Sequence, residues 1–369
     1  MVRRILACSL VTLLGCKDDE PPASSDTSGD TSNTSAGGET TSAQADTAGT
    51  GEPDPDSGSE GGMPSPCAAS PEAMADCVDP AAYQSDLEFI AELRNPGSPH
   101  WQAVQDLCAE RLTELGYEVT LFEYATGVNV LGTLPGTNPD APMVLVGAHY
   151  DHIPGCTGAD DNATGVAASL EAARVFAEGQ FQHSITIACW DEEEDGLIGS
   201  EAFATAAADQ GIPIEVYFNF EMIGYASDEP NSQTIPAGFD LVFPDQIALV
   251  EANEYRGDFL LVAADELAAE PQEFLLEHAD RVGLPTIAVT LTEAQKNNDL
   301  FGDLRRSDHA PFWATDVGAL FLTDSGEFRN ERYHCLSGED TVDSLVPSFS
   351  EGVIRATVGA AAQTAVLVE

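Results

Sequence analysis

Histidine and carboxylate side chains recur at the ends of apolar runs in this chain, and together they have the composition of a divalent metal site. Four apolar, strand-like runs end in such residues, and a fifth segment lies in a loop before a short helix. Imidazole and carboxylate ligands without cysteine suit zinc and other borderline divalent metals. The candidate ligands are His149, Asp161, Glu194, Glu221 and His309.

A single acidic strand end is ordinarily a solvated loop, so one such element would carry little weight. Ligands of open α/β sheets bind where the carboxyl ends of several strands meet, which favours a shared site for the five segments. His149 and Asp151 are two residues apart in an extended run and point to the same side. Asp151 is therefore expected to hold the imidazole of His149 in orientation from behind the metal.

Strands and helices alternate along the chain from Cys67 onward, which favours an α/β layer fold with a mainly parallel sheet. Strands are predicted at 118–124, 128–133, 143–150, 184–190, 215–220, 259–263, 286–291 and 319–323. Helices are predicted at 81–93, 101–115, 163–177, 200–208, 273–282 and 350–366. The metal candidates then lie at strand ends and in the adjoining loops.

In this order and spacing the segments resemble peptidase family M28, the co-catalytic zinc peptidases that include aminopeptidases, some carboxypeptidases and related glutaminyl cyclases. The likeness covers residues 83–345 and rests on HYD at 149–151, GADDN at 158–162, EE before DGLIGS, and SDH at 307–309. It implies a three-layer α/β/α fold with a mostly parallel, mixed central sheet. The implied reaction is hydrolysis of the N-terminal peptide bond of peptides.

The resemblance also implies two zinc ions and a role for each candidate ligand. His149 and Glu221 would hold one ion, Glu194 and His309 would hold the other, and Asp161 would bridge both. Many members of the family have aspartate at the position of Glu221. Glutamate can still ligate zinc, but this departure leaves a one-ion state open, and manganese or cobalt remain alternatives to zinc.

Three glutamates run together at 192–194, so the position of the family's Glu-Glu pair has to be assigned. In the family the pair is followed by one residue and then by Gly-Leu-x-Gly-Ser, a frame that Asp195 and the GLIGS segment match. Glu193 is thus the implied general base for a metal-activated water, and Glu192 is a bystander.

Further residues are candidates for contacting a substrate. Tyr333 and His334 lie in a segment that resembles the cleft wall of the family. His152 follows the HYD element and is a candidate cleft residue, with a surface or structural role as the alternative. Four arginines could bind a substrate carboxylate, as a carboxypeptidase requires, although structural ion pairs are the preferred interpretation; they are Arg256, Arg305, Arg306 and Arg329.

The charge of the chain excludes one large class of partners. It has 63 acidic and 14 basic residues and a formal net charge of −49, so it would repel nucleic acid. Neither a GxSxG elbow nor a GxxxxGK[ST] loop occurs in the sequence. The alternatives to an aminopeptidase are a carboxypeptidase or glutaminyl cyclase on the same fold, and a non-catalytic surface binding protein.

The N-terminus indicates export. Arg3 and Arg4 precede an apolar run that is too short to span a bilayer, and Leu-Leu-Gly-Cys at 13–16 resembles a bacterial lipobox. Residues 1–16 are thus predicted to be a lipoprotein signal, with Cys16 lipidated; an ordinary secretory signal is the alternative. Residues 17–66 are predicted to be a disordered tether and 67–369 the peptidase domain. The protein is expected at the cell envelope, periplasmic or at the cell surface, touching the membrane only through its anchor.

Six cysteines follow the signal, and an exported protein can oxidise them. Cys67 and Cys77 are close in sequence and are expected to pair first. Cys156 and Cys335 are the second expected pair. Cys189 lies in an apolar run and is expected to be a buried free thiol.

Overall fold

An eight-stranded mixed sheet forms the centre of the fold in the computed structural model, which describes residues 65–368. The predicted signal, Cys16 and residues 17–64 of the predicted tether lie outside the described residues. The strands are β1 Glu118–Glu123, β2 Val128–Leu134, β3 Met143–His149, β4 Ile185–Trp190, β5 Ile214–Glu221, β6 Leu260–Asp265, β7 Thr286–Leu291 and β8 Ala319–Thr323. Each strand overlaps one that the sequence predicts.

The described helices flank the sheet. They are α1 Pro71–Asp76, α2 Pro80–Ile90, α3 Pro99–Glu114, α4 Thr164–Phe176, α5 Ile198–Gln210, α6 Phe239–Val242, α7 Pro244–Ala252, α8 Ala269–Val282, α9 Glu293–Lys296, α10 His309–Ala314 and α11 Pro347–Thr364. Proline at the first position and a serine or aspartate cap fix the starts of α1, α2 and α3. Four short helices were not predicted from the sequence, namely α1, α6, α7 and α9; α7, for example, buries only Val250.

The strand order is β1-β2-β4-β3-β5-β8-β6-β7. The central strands β4, β3, β5 and β8 are mutually parallel, whereas β1, β2 and the β6–β8 pair introduce antiparallel neighbours. The carboxyl ends of the four parallel strands therefore meet at one edge of the sheet. The predicted mixed, mostly parallel α/β/α architecture is confirmed.

Both faces of the sheet are covered by apolar side chains, as alternating burial in a three-layer fold requires. On one face Val144 and Val146 of β3 join the core beneath α4 and α11. On the other face Leu145 joins a second core with Trp190 and Phe312. The parallel strands are thus buried on both sides, which makes their ends rigid supports for polar side chains.

Both expected disulfides are present, Cys67–Cys77 and Cys156–Cys335. Within the part of the chain that the structure describes, Cys189 is buried and unpaired, as predicted, and Cys108 is a second buried free thiol. The second disulfide joins the loop after β3 to the turn at 333–335, across a sequence separation of 179 residues. Among the described residues, no helix has the length and apolar character needed to cross a membrane.

Candidate metal centre

The carboxyl ends of three adjacent parallel strands supply the centre of the site. His149 is the last residue of β3 and Glu221 the last of β5, while Glu193 and Glu194 follow β4. Asp161 lies in an irregular turn at Ala159–Ala163 that leads into α4. Four of the five predicted metal ligands therefore converge at one edge of the sheet.

These side chains form a first donor group around His149. Its Nε2 atom lies 3.4 Å from Glu221 Oε2 and 3.5 Å from Asp161 Oδ1. All three candidate ligand atoms lie within 4.8 Å of one another. One ion could contact the three at once.

A second donor group uses the other oxygen of the same aspartate. Asp161 Oδ2 lies 3.2 Å from Nε2 of His334, and that nitrogen lies 3.1 Å from Glu194 Oε2. His152, Asp161 and Glu194 also place one donor atom each within 4.8 Å of one another. The two oxygens of Asp161 thus face two different groups, as a bridging carboxylate would.

The predicted place of His309 in the second group is wrong. Its ring is fully buried, stacked on Phe321 and edge-on to Trp313, and its Nε2 atom contacts the carbonyl of Leu304 at 2.8 Å. His309 belongs to neither donor group. His334, predicted as a substrate contact, stands where the sequence analysis placed His309.

The SDH segment nevertheless contributes to the site through Ser307. Its hydroxyl donates to Glu221 Oε2 at 2.6 Å and accepts from Asn219 at 2.7 Å. Tyr217 and Trp190 continue this hydrogen-bonded chain into the second core. Glu221 is therefore held in place by a buried network.

Asp151 supports both donor groups, as the HxD spacing predicted for His149. Its Oδ1 atom lies 3.3 Å from Nδ1 of His149. The same carboxylate accepts the backbone N–H groups of Glu193 and Glu194, at 3.0 and 3.2 Å. Glu192 instead contacts the hydroxyl of Thr126, outside both groups. One aspartate thus fixes an imidazole and the turn that carries the two glutamates.

The electrostatics of the site favour positive charge at the donor atoms. Burial opposes protonation of His149, but the carboxylates of Glu221 and Glu193 outweigh it and raise its pKa well above the usual range. Burial likewise opposes the cation at His334, yet hydrogen bonds to Asp161 and Glu194 raise its pKa to about 10. Burial raises the pKa of the Glu193 carboxyl, partly offset by His149. The surplus of carboxylates would equally stabilise a bound cation.

Buried polar atoms test whether a metal fits. His149 Nε2 and Glu194 Oε1 are both buried and have no hydrogen-bond partner among residues 65–368. Leaving such atoms unsatisfied is costly, so a missing partner is expected at both positions. The donors are imidazole nitrogens and carboxylate oxygens, which is a zinc-type set. The described residues therefore fit a metal at each donor group.

Two residues that the sequence analysis did not identify hold the loop that carries Asp161. Arg94 is fully buried and donates to the carbonyls of Tyr150, Thr157, Gly158 and Asp161. Asp340 accepts the N–H groups of Asp160 and Asp161. These contacts span 64 and 180 residues, so no local pattern could reveal them.

The donor groups open into a cleft that adjoins an apolar pocket. Tyr333 lines both spaces, and its ring stacks on His334 with centroids 3.8 Å apart. Met222, Phe239 and Phe328 are among the side chains that line the apolar pocket. Tyr333 is thus placed where it was predicted, at the wall of the cleft.

The four candidate arginines differ in their surroundings. Arg306 pairs with Glu327, and Arg256 contacts Glu254. Arg329 is buried and donates to the carbonyl of Phe259 at 2.8 Å. These contacts give the three side chains structural partners, as the preferred interpretation holds. Arg305 lines the cleft beside the donor groups.

Comparisons with known proteins find a similarity to a family of peptidases. Residues 129–258 match Peptidase family M28. Uncharacterized protein YfbL of Escherichia coli (strain K12) is 29% identical over 217 residues, covering 56% of this chain and 62% of that protein. Leupeptin-inactivating enzyme 1 of Streptomyces exfoliatus is 31% identical over 255 residues, covering 65% of this chain and 48% of that protein. The chain thus spans less than two thirds of either relative.

Solved structures agree on the fold. The LapA aminopeptidase of Legionella pneumophila matches with a TM-score of 0.59 at 18% identity, covering 81% of this chain and 74% of that one. The matched segment 129–258 contains β3, the Asp161 turn, β4 with its glutamates, and β5, and so most of the two donor groups. Residues 129–258 of this chain are thus similar to Peptidase family M28.

Proposed function

We propose that this protein is a zinc-dependent exopeptidase that removes the N-terminal residue of peptides. The observation that carries the proposal is the Asp161 carboxylate, whose two oxygens face two separate donor groups. The match of residues 129–258 to Peptidase family M28 and the similarity to a leupeptin-inactivating enzyme support peptides as the substrate class. The proposed metal residues are His149, Glu221, Asp161, Glu194 and His334, with His334 replacing His309.

Zinc held at these groups supplies a Lewis acid that lowers the pKa of water and polarises a carbonyl. Glu193 lines the cleft together with Glu194 and Glu221. Its backbone is fixed by Asp151, whereas no hydrogen bond of the described residues engages its carboxylate. Glu193 is therefore free to accept a proton from the attacking water and to return it to the leaving amine.

The surroundings of the cleft favour a free amine and an apolar side chain in the substrate. The carboxylates of the cleft attract a protonated amine. The adjoining pocket, lined by Met222, Phe239 and Phe328, would receive the first side chain of the peptide. Substrates beginning with leucine or phenylalanine are the expected choice.

Arg305 supports a second candidate activity, because its side chain lines the same cleft. A guanidinium at that place could bind the terminal carboxylate of a substrate, as a carboxypeptidase requires. Arg306 is less suited to this task, since it already pairs with Glu327.

The test is hydrolysis of leucyl p-nitroanilide by the purified domain, with and without a chelator. We expect turnover that is lost on chelation and restored by zinc. N-acetylated peptides and glutaminyl peptides run in parallel would reveal a carboxypeptidase or a glutaminyl cyclase. If no peptide with a free amine is cleaved, the proposal fails.

A matched pair of variants tests the role of Glu193. Glu193→Gln should keep its zinc and lose about 10²- to 10⁴-fold in turnover, the usual contribution of a general base. Glu192→Gln is the control, because Glu192 contacts Thr126 outside both donor groups. Equal losses in both variants would show that the base is misassigned.

We also propose that the enzyme is exported and lipid-anchored through Cys16. Two disulfides in the described domain support an oxidising compartment. Labelled palmitate should enter the wild-type protein in a bacterial host and be absent from Cys16→Ser. Equal labelling of both would contradict the anchor.

A further inference from the structure

His152 is a buried histidine whose imidazole lacks partners for both of its nitrogens. It directly follows the HYD segment, and its side chain is fully buried. Neither Nδ1 nor Nε2 has a hydrogen-bond partner among the described residues. A buried imidazole without an aligned hydrogen bond is costly, so it indicates a ligand that would occupy one nitrogen.

The ring of His152 faces the second donor group. Its Nδ1 atom lies 2.7 Å from Glu194 Oε1, yet the pair is not aligned as a hydrogen bond. His152, Asp161 and Glu194 place one donor atom each within 4.8 Å of one another. Two ligand atoms of one tetrahedral zinc would lie about 3.3 Å apart, so His152 and Glu194 would have to separate by about half an ångström to share an ion.

Packing holds the ring at this place. A Cβ atom added to Gly158 would lie 2.5 Å from Cδ2 of His152, so the imidazole packs directly on the glycine backbone. On its other side the ring meets His334 edge-on, with centroids 5.9 Å apart. The orientation of His152 toward Glu194 is therefore fixed before any ligand binds.

We propose that His152 is an additional metal ligand, which makes the two metal positions unequal. The second group would offer four protein donors, from Asp161, Glu194, His334 and His152. The first group offers three, from His149, Glu221 and Asp161. Zinc with four protein ligands is typical of closed structural sites, and zinc with three leaves a position for water or substrate. The second position thus binds its ion more tightly, and the first position is the one left open beside Glu193.

The role of His152 rests on the proposed function only for the identity of the ion, zinc. Zinc binding is measured without substrate. Metal-free protein is titrated with zinc against a competing chelator. Wild type should show a tight and a weaker class of sites. His152→Ala should weaken the tight class by about 10-fold or more and leave the weaker class unchanged.

His183→Ala is the matched control, because Nδ1 of His183 contacts the carbonyl of Pro142 away from the donor groups. It should leave both classes unchanged. Two equal classes in wild type, or an unchanged tight class in His152→Ala, would overturn the proposal. Because peptide hydrolysis is not used, a protein that binds zinc this way and cleaves no peptide would refute only the proposed function.

A second measurement separates a ligand from a side chain that only orients Glu194. Wild-type protein with nitrogen-labelled histidine is loaded with an NMR-active cadmium isotope, and metal–nitrogen coupling is recorded. A coupled nitrogen of His152, assigned by its disappearance in His152→Gln, supports ligation. A protonated, uncoupled His152 would overturn the proposal even if zinc affinity fell. The coupling is recorded in wild-type protein and its assignment needs only the conservative variant His152→Gln, so the experiment stays decisive if His152→Ala does not fold.

Discussion

Comparing a substitution of His334 with a substitution of His309 tests the corrected assignment of the metal ligands directly. His334→Ala removes the imidazole that contacts Asp161 and Glu194. His309→Phe keeps an aromatic ring between Phe321 and Trp313 and removes both ring nitrogens, of which Nε2 contacts the carbonyl of Leu304 and Nδ1 lies 3.5 Å from Asn219. The first change should act on metal binding and the second on the stability of the fold.

The expected magnitudes differ in kind. Residues that merely support a metal ligand change affinity by about 10- to 100-fold, so loss of His334 itself should weaken one zinc position by at least about 100-fold. At fixed zinc this removes about 2.7 kcal/mol of metal-linked stabilisation, or roughly 5 °C in melting temperature. His309→Phe leaves the buried carbonyl of Leu304 without a partner, at a cost of about 1–3 kcal/mol with or without zinc.

The assay is thermal unfolding of each protein in chelator and in a fixed excess of zinc. The zinc-induced rise in melting temperature should shrink in His334→Ala and match wild type in His309→Phe. Because each protein is compared with itself, the effect of either substitution on the metal-free fold cancels. A shrunken rise in His309→Phe together with a full rise in His334→Ala would refute the corrected assignment and restore the sequence-based one.

Three further outcomes are expected. Arg94→Met, measured by urea unfolding in chelator, should lower the free energy of unfolding by about 3–5 kcal/mol because it leaves buried carbonyls unpaired. The control Arg256→Met breaks only a solvent-screened surface pair and should leave that free energy nearly unchanged. Burial holds the pKa of His309 at about 3 in the folded protein, whereas the unfolded chain protonates this histidine as pH falls below 6.5. The free energy of unfolding of metal-free wild type should therefore fall by about 2 kcal/mol more than that of His309→Phe by about pH 5. Parallel pH curves for the two proteins would contradict this. Cys335→Ser removes a disulfide that closes a loop of 179 residues and should lower the free energy of unfolding by roughly 5 kcal/mol. Cys77→Ser removes one that closes a loop of 10 residues and should lower it by roughly 3 kcal/mol; equal losses in urea unfolding would contradict the chain-entropy explanation.

The sheet could be predicted because its strands carry a strong local signal. Strands buried on both faces, such as β3, β4 and β8, appear as continuous apolar runs between turn residues. The more exposed edge strands β1 and β7 were recognised from shorter apolar or β-branched segments. The ends of β3 and β5 then placed His149 and Glu221 correctly, since a ligand on a strand end is positioned by the strand itself. Short, exposed helices such as Pro244–Ala252 have no comparable pattern.

The His309 assignment failed because the histidine of SDH begins helix α10 rather than ending a strand. The direction of a side chain at a helix start depends on how the helix packs, and α10 packs into the second core with Phe312 and Trp313. This turns the ring of His309 inward, and Ser307 is left to contact Glu221. Residue type and order could not distinguish these two outcomes.

A signal for His334 was nevertheless present in the sequence. The pairing of Cys156 with Cys335 was expected, and the structure contains it. A disulfide brings the two Cα atoms within 5.7 Å, so the residue before Cys335 must lie close to the loop between His149 and Asp161. Carrying the expected disulfide one step further would have made His334 a metal candidate before the fold was known. The same step brings His152 into the site, because it precedes Cys156 in that loop and faces His334. A covalent constraint between distant segments therefore carries more information about a composite site than the motif that happens to contain a histidine.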